Sequence, residues 1–133
     1  MEKIPHHYRM KILLAFILSH LLIFSSPGWS ADFEKGYAAA QSGDFETALR
    51  EWVPLAEQGD ADAQNNLGAM YGNGDGVIQD LVYAHMWMNI AASNGSKSAT
   101  ENRQKAVDLM TPSQIEKAQD LARECVAKNY KDC

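Results

Sequence analysis

The sequence has few of the residues on which catalysis and metal binding most often depend. Three of its four histidines lie within the first 20 residues, so a chain cut after residue 30 keeps only His85. A metal site needs several ligands, and a catalytic base needs partners, which the residues around His85 do not supply. We therefore expect no metal, no cofactor and no enzymatic activity. We expect His85 to be a polar residue on the outer face of a helix.

Cysteine is also scarce, and both copies lie at the C-terminus. Cys125 and Cys133 are eight residues apart, which in one continuous helix is about 12 Å, too far for a disulfide. A bond between them requires the last helix to end near residues 128–130. Two free thiols or an intermolecular bridge are equally compatible with this spacing.

Positive charge is scarce once the first 30 residues are set aside. Residues 31–133 hold 9 Lys and Arg against 16 Asp and Glu, a net charge of −7, whereas the whole chain carries −5. This acidic balance argues against nucleic acid and against anionic membrane surfaces as partners.

The longest apolar run is too short to span a membrane. Ile12–Phe24 has 13 positions, and a membrane-spanning helix needs about 20. Three basic residues precede or flank this run, and Gly28 and Ser30 place small side chains at positions −3 and −1 of a cut before Ala31. These features predict a signal peptide over residues 1–30.

Cleavage there would leave one domain, residues 31–133, without a stable membrane anchor. We therefore expect a periplasmic or secreted protein. An uncut anchor is the alternative, and Met10 is an alternative start to Met1.

Short breaks divide residues 31–133 into six helical stretches. Alanine is abundant in these stretches and β-branched residues are few, which disfavours strands. Each stretch after the first begins with a residue that can accept hydrogen bonds from free backbone amides. These predicted caps are Asp44, Asp60, Asp80, Ser96 and Thr111, the last within a Thr-Pro-Ser-Gln capping box. Pro54 falls inside the second stretch, where we expect a bend and not a break.

The sequence matches itself at an offset of 36 residues. The recurring positions are Asp44, Ala48, Ala56, Gly59 and Ala63, which become Asp80, Ala84, Ala92, Gly95 and Ala99. A period of this length with two helices in each period indicates a helical solenoid, in which stacking buries the apolar face of each helix pair.

Within residues 61–96, small, aromatic and capping residues follow one another in a fixed order. They are Ala63, Leu67, Gly68, Tyr71, Gly74, Gly76, Val77, Asp80, Ala84, Trp87, Ala91, Ala92 and Gly95. This order closely resembles the Sel1-like repeat, a relative of the tetratricopeptide repeat.

The resemblance implies an all-α, right-handed αα-solenoid of about six helices. It divides the chain into a signal peptide (1–30), a degenerate unit (31–60), a full unit (61–96) and C-terminal capping helices (97–133). In such a scaffold Gly68 and Ala84 allow two helices to approach closely, and Gly74 and Gly76 permit positive φ in the loop.

Three other patterns could indicate a chemical site, but each lacks a required residue or has a simpler structural explanation. The loop around Gly74–Gly76 superficially resembles a calcium loop, but it has Tyr71 and Val82 where carboxylates are required. Asp60 and Asp62, or Glu46 and Glu51, could form carboxylate pairs of the kind that glycosidases use, yet we expect them at helix starts or on solvated helix faces. No serine after residue 30 has a lysine three positions later, as serine acyl-transfer sites do.

A partner-binding surface is the most specific functional hypothesis. In solenoids of this type the first helix of each pair lines a concave face, where small and amide side chains suit an extended peptide. The candidate residues are Tyr37, Gln41, Gln64, Asn65, Asn66, Ala69 and Arg103. Ordinary solvated polar residues are the alternative, since no charged or aromatic cluster singles the patch out.

The predicted function is therefore a non-catalytic adaptor that binds a protein or peptide of unknown identity on the concave face. A binder or modifier of cell-wall fragments is one alternative, and a secreted effector that acts on a host protein is another. Nothing in the sequence indicates the oligomeric state.

Overall fold

The computed structural model of the chain describes residues 30–133. The signal peptide is predicted over residues 1–30, and residues 1–29 of it lie outside the described part, so it stays a prediction. From residue 30 onward the chain forms six α-helices and no strand, which confirms the predicted all-α class. The helices are α1 Phe33–Gln41, α2 Phe45–Glu57, α3 Ala61–Asn73, α4 Leu81–Ser93, α5 Lys97–Val107 and α6 Pro112–Ala127.

Most of these helices begin at the predicted caps. The carboxylates of Asp44, Asp60 and Asp80 accept from backbone amides of the first turn, and Thr111 forms the complete capping box. Ser96 also stands at the N-cap of α5, but its hydroxyl lies 3.3 Å from that of Ser98 and makes no bond to the helix backbone. Local cap chemistry therefore sets four of the five predicted starts.

The helices pack in chain order, as expected for a helical solenoid. α1 lies against α2, α2 against α3 and α3 against α4, while α5 packs on both α3 and α4. α6 packs on α4 as well, so α4 contacts three other helices. This central position explains why so much of α4 is buried.

The positions related by the 36-residue offset have the same structural roles. Ala48 and Ala84 are both fully buried, and Gly59 and Gly95 both adopt positive φ, of 92° and 102°, in the turn that follows their helix. These recurring alanines and glycines therefore occupy structurally equivalent positions. Each of these positions requires either a small side chain or a left-handed backbone.

One close contact in the core lies between α3 and α4. A Cβ at Gly68 would lie 2.9 Å from Cγ of Met88 and 3.0 Å from the carbonyl oxygen of Ala84. Leu67 and Trp87, each at most 4% exposed, fill the space beside this contact. Glycine at 68 is thus required by helix separation, and large side chains complete the interface.

The loop from α3 to α4 also requires glycine, but for its backbone. Gly74 and Gly76 have φ of 77° and 71°, a region that residues with a side chain rarely adopt. Gly76 additionally lies against α2, because a Cβ there would come within 2.7 Å of Cβ of Phe45. This loop therefore connects the two helices of the full unit and packs on α2 of the preceding unit.

After α6 the chain turns back on itself in a C-terminal hook, residues 128–133. A disulfide joins Cys125 to Cys133, with 5.4 Å between their Cα atoms. The hook contains three non-glycine residues with positive φ, namely Asn129, Tyr130 and Asp132. α6 ends at Ala127, so the continuous helix that would have kept the two sulfur atoms apart is not present.

Candidate functional site

A cavity of about 250 Å³ lies among α1, α2 and α3, and it collects four of the predicted partner-binding residues. Tyr37 and Gln41 line it from α1, and Asn66 and Ala69 line it from α3. Tyr37 is 48% exposed, so a large aromatic side chain is available at its edge. We name this cavity the first pocket.

The base of the first pocket is apolar and is fixed by the packing of α1 on α2. Phe45, Trp52 and Met70 line it. The indole nitrogen of Trp52 donates to the carbonyl of Phe33 at 3.2 Å. Gly36 lies against the same indole, where a Cβ would be 2.6 Å from the indole nitrogen. The indole of Trp52 is therefore packed between the two helices at the base of the pocket.

One charged residue, Asp75, lines the first pocket. Its backbone amide donates to the carbonyl of Met70 at 2.9 Å, which holds it beside the base of the pocket. Its carboxylate accepts from the side-chain amide of Asn73 at 3.1 Å. Within residues 30–133 it makes no ion pair. The loop between α3 and α4 thus places an unneutralised carboxylate at the pocket.

A second cavity, of about 260 Å³, continues the surface on the other side of α3. It shares Ala69 with the first pocket, and we name it the second pocket. Its lining residues are Ala69, Gly72, Asn73, Leu81, Met88, Asn102, Lys105, Ala106 and Leu109. Lys105 is its one charged lining residue and is paired with Glu101 at 3.0 Å. The two pockets together form a paired groove that crosses α3 at Ala69.

The prediction that Gln64 and Asn65 lie on a binding surface is wrong. Gln64 is fully buried, donates to the carbonyl of Ala56 at 3.0 Å and accepts from Asn94 at 2.9 Å. Asn65 is 7% exposed, donates to Ser98 and accepts from Asn102. These side chains are needed to satisfy buried polar groups, so they link helices and do not face a partner.

Arg103 lies outside the paired groove. Its guanidinium donates to the side-chain oxygen of Asn89 on α4, and it is near enough to His85 for its charge to influence that imidazole. The prediction that Arg103 extends the binding surface is therefore not supported by its position. Arg103 instead connects α5 to α4.

His85 and Glu51 are buried, which corrects the expectation that both are solvated. His85 is 3% exposed, and within the described residues its Nδ1 has no hydrogen-bond partner. Burial, and then the charge of Arg103, lower the pKa of His85, which favours the neutral imidazole. Glu51 is 1% exposed and is paired with Lys35 at 2.7 Å. Both positions lie on helix faces that a neighbouring helix covers.

Sequence reasoning missed Asp75 and most of the second pocket. A signal was present, since Asn66, Ala69 and Asn73 are three and four residues apart and so share one face of α3. Asn102 and Ala106 have the same relation on α5. The base of the first pocket had no local signal, because it comes from α2 and depends on how α1 packs.

Over residues 30–133 there is no group of three or more His, Cys, Asp or Glu side chains placed to hold a metal ion. No helix in that range is both long enough and apolar enough to cross a membrane. The described residues form a groove with an apolar base in each pocket. Amide side chains lie along its edges, and the carboxylate of Asp75 is not part of an ion pair within residues 30–133.

The fold and the groove define a helical repeat protein of the solenoid class. The family model of the Sel1 repeat matches residues 61–96. The chain therefore carries a Sel1 repeat, and the resemblance to the Sel1-like repeat family is confirmed.

Sel1 repeats generally mediate protein–protein interaction, and their family is typically non-catalytic. No curated protein matches the chain. The repeat therefore indicates the general class of function, and the paired groove is the candidate binding surface.

Proposed function

We propose that the chain is an exported, non-catalytic interaction module that binds a protein or peptide segment in the paired groove. The observation that carries the proposal is the groove itself. It brings Tyr37, Gln41, Asn66 and Ala69 together, and it continues across α3 into the second pocket.

The chemistry of the groove suits an extended segment. Amide side chains of Gln41, Asn66, Asn73 and Asn102 line its two pockets and can exchange hydrogen bonds with a peptide backbone. The apolar bases can accept side chains from the same segment, and recognition of this kind requires no rearrangement of the helices.

Export is supported by two separate features. The first is the leader pattern of residues 1–30. The second is the disulfide between Cys125 and Cys133, because disulfides persist in the periplasm and outside the cell and are rare in the cytosol.

Capture from a cell-envelope extract by the immobilised full chain tests the proposal. Asn66→Arg introduces a long cationic side chain into the first pocket and should abolish retention of the partner. Gln119→Arg also replaces an amide side chain with arginine, at an exposed position of α6 outside both pockets, and this variant should still retain the partner. Circular dichroism of both variants must first show the parent helix content.

The outcomes separate the groove from other surfaces. A partner lost with Asn66→Arg and kept with Gln119→Arg supports the proposal. A partner that both variants retain would show that another surface binds it. Retention of the purified chain on insoluble peptidoglycan, unaffected by Asn66→Arg, would contradict the proposal in favour of a cell-wall binder.

A further inference from the structure

We infer that the paired groove selects a segment with one basic side chain, lysine or arginine, and one apolar side chain about three residues away. The basic side chain enters the first pocket and the apolar one enters the second. This inference rests on the proposed function and adds the chemical class of the partner.

The first pocket has the composition of a site for a long cationic side chain. Trp52 and Met70 provide an apolar base along which a methylene stem can lie. Asp75 provides the charge for its head group, and Tyr37 provides a half-exposed aromatic ring at the edge. The volume of about 250 Å³ exceeds that of one side chain, which leaves room for part of the partner's backbone.

The charge of Asp75 is what favours a cation. Its carboxylate is the one charged group in the pocket, and over residues 30–133 no Lys or Arg is paired with it. Residues 31–133 also carry a net charge of −7. A basic segment is therefore attracted by the domain as a whole and then held at a defined carboxylate, whereas an acidic segment is repelled at both stages.

The second pocket favours an apolar side chain because most of the surface that lines it is apolar. Its one charged group, Lys105, forms an exposed ion pair with Glu101 at 3.0 Å. Leu81, Met88 and Leu109 line the remaining surface, and Leu109 is 72% exposed. An apolar side chain of the partner would cover Leu109 and remove it from water. The free energy gained is proportional to the apolar area that is buried.

The separation of the pockets sets the spacing in the partner. They flank the face of α3 that carries Asn66, Ala69 and Asn73, the first pocket toward α1 and the second toward α5. A helix with its side chains is about 10 Å wide, and an extended peptide advances about 3.3 Å for each residue. The two side chains should therefore be about three residues apart.

Selection of phage-displayed random peptides on the full chain, followed by a double-mutant cycle, tests the inference. Selected peptides should share a basic and an apolar residue at the stated spacing. One such peptide is then labelled with fluorescein and titrated by anisotropy, with its basic residue or with norleucine in that place. Asp75→Asn keeps the size of the side chain and its bond to Asn73, and it should weaken the basic peptide about threefold to tenfold.

The controls identify which step has failed. Glu116→Gln removes one carboxylate from an exposed site on α6 and should leave affinity unchanged. Norleucine in the peptide should lower affinity for the parent and make the parent and Asp75→Asn equal. Equal weakening of both peptides by Asp75→Asn would overturn the inference. If Asn66→Arg still abolished binding in that case, the groove proposal would stand; if Asn66→Arg bound normally, both would fail.

Discussion

Side chains of Gln64, Asn94 and Tyr130 form a hydrogen-bonded chain that links the ends of α2, α4 and α6. Gln64 donates to the carbonyl of Ala56, Asn94 donates to Gln64 at 2.9 Å, and the hydroxyl of Tyr130 donates to Asn94 at 3.3 Å. Their separations of 30 and 36 residues are close to one repeat. Removing the Asn94 side chain would leave the buried side-chain oxygen of Gln64 unpaired, at a cost of about 1–3 kcal/mol.

Glu51 is a second residue whose polar contacts matter in the core. It accepts from Lys35 and from the backbone amide of Asp32 at 3.1 Å. The hydrogen bond from Lys35 is the largest reason that the pKa of Glu51 lies below its ordinary value of 4.5, and burial opposes this lowering. The pair therefore fastens the start of α1 to α2.

A pH-dependent stability follows from that lowered pKa. The folded state favours the ionised carboxylate, so its contribution is fully present above about pH 4.5 and is lost as the pH falls through the lower folded-state value. Glu51→Gln should lower the melting temperature at pH 7 and reduce the loss of stability on acidification. Thermal melts from pH 7 to pH 3 measure both effects. Glu46→Gln, the same exchange at an exposed position of α2, should follow the parent curve, and a Glu51→Gln curve parallel to the parent would refute the assignment.

At the scale of elements, the C-terminal hook closes the end of the solenoid. Tyr130 packs on the turn after α2, where a Cβ at Gly59 would lie 3.3 Å from its ring. Lys131 approaches Glu57 at 3.7 Å. These contacts are made from a backbone with three left-handed non-glycine residues, which is unfavourable by itself. The disulfide is the feature that offsets this cost.

Reduction should therefore release the hook. Closing a loop of this size removes about 2–3 kcal/mol of unfolded-state entropy, so reduced chain should melt at a lower temperature than oxidised chain. Melts with and without a phosphine reductant measure the difference. Cys125→Ser combined with Cys133→Ser should melt like the reduced parent and should not respond to reductant. Equal melting of oxidised and reduced parent would mean that the hook adds no stability.

Helix boundaries could be predicted because their causes are local. A capping side chain and the amides that it accepts from lie within three residues of each other, as at Asp60 and Thr111. Ser96 is the exception, since its hydroxyl is close to Ser98 in a buried position. The path of the hook could not be predicted, because it depends on Tyr130 finding Asn94 and Gly59 across the fold.

At the scale of the whole molecule, the number of neighbours of each helix decides which sequence predictions failed. A helix that packs on one side shows one apolar stripe, but α3 and α4 each contact three other helices. Their buried arcs are therefore wider than a stripe, and they include Gln64, Asn65 and His85. Residue type alone assigns such side chains to the surface. Only the packing shows that Gln64 and Asn65 have hydrogen-bond partners about one repeat away.

The candidate site divides in the same way. Tyr37, Gln41, Asn66 and Ala69 lie on first helices of pairs and could be predicted from helical spacing and the family resemblance. Asp75 could not, because its position depends on two left-handed glycines and on the packing of Gly76 against Phe45. The residues at the edges of the groove can therefore be predicted from helix periodicity. Those at its base and in the loop depend on how the helices of the solenoid pack together.

Stability of the assembled solenoid is the sum of its neighbouring interfaces, so damage to the central one should affect all of it. Leu67, 3% exposed, lies in the helix that packs on α2, α4 and α5. Leu67→Ala should cost about 2–5 kcal/mol, and Leu67→Asp should abolish cooperative melting because it buries an unpaired charge. Leu109→Asp, at a 72% exposed position, should melt almost as the parent does. The measurement is the helical circular dichroism signal against temperature. Residual helices that melt separately in Leu67→Asp would show that the pairs fold independently, and an unchanged single transition would show that the interface between α3 and α4 is not where the stability lies.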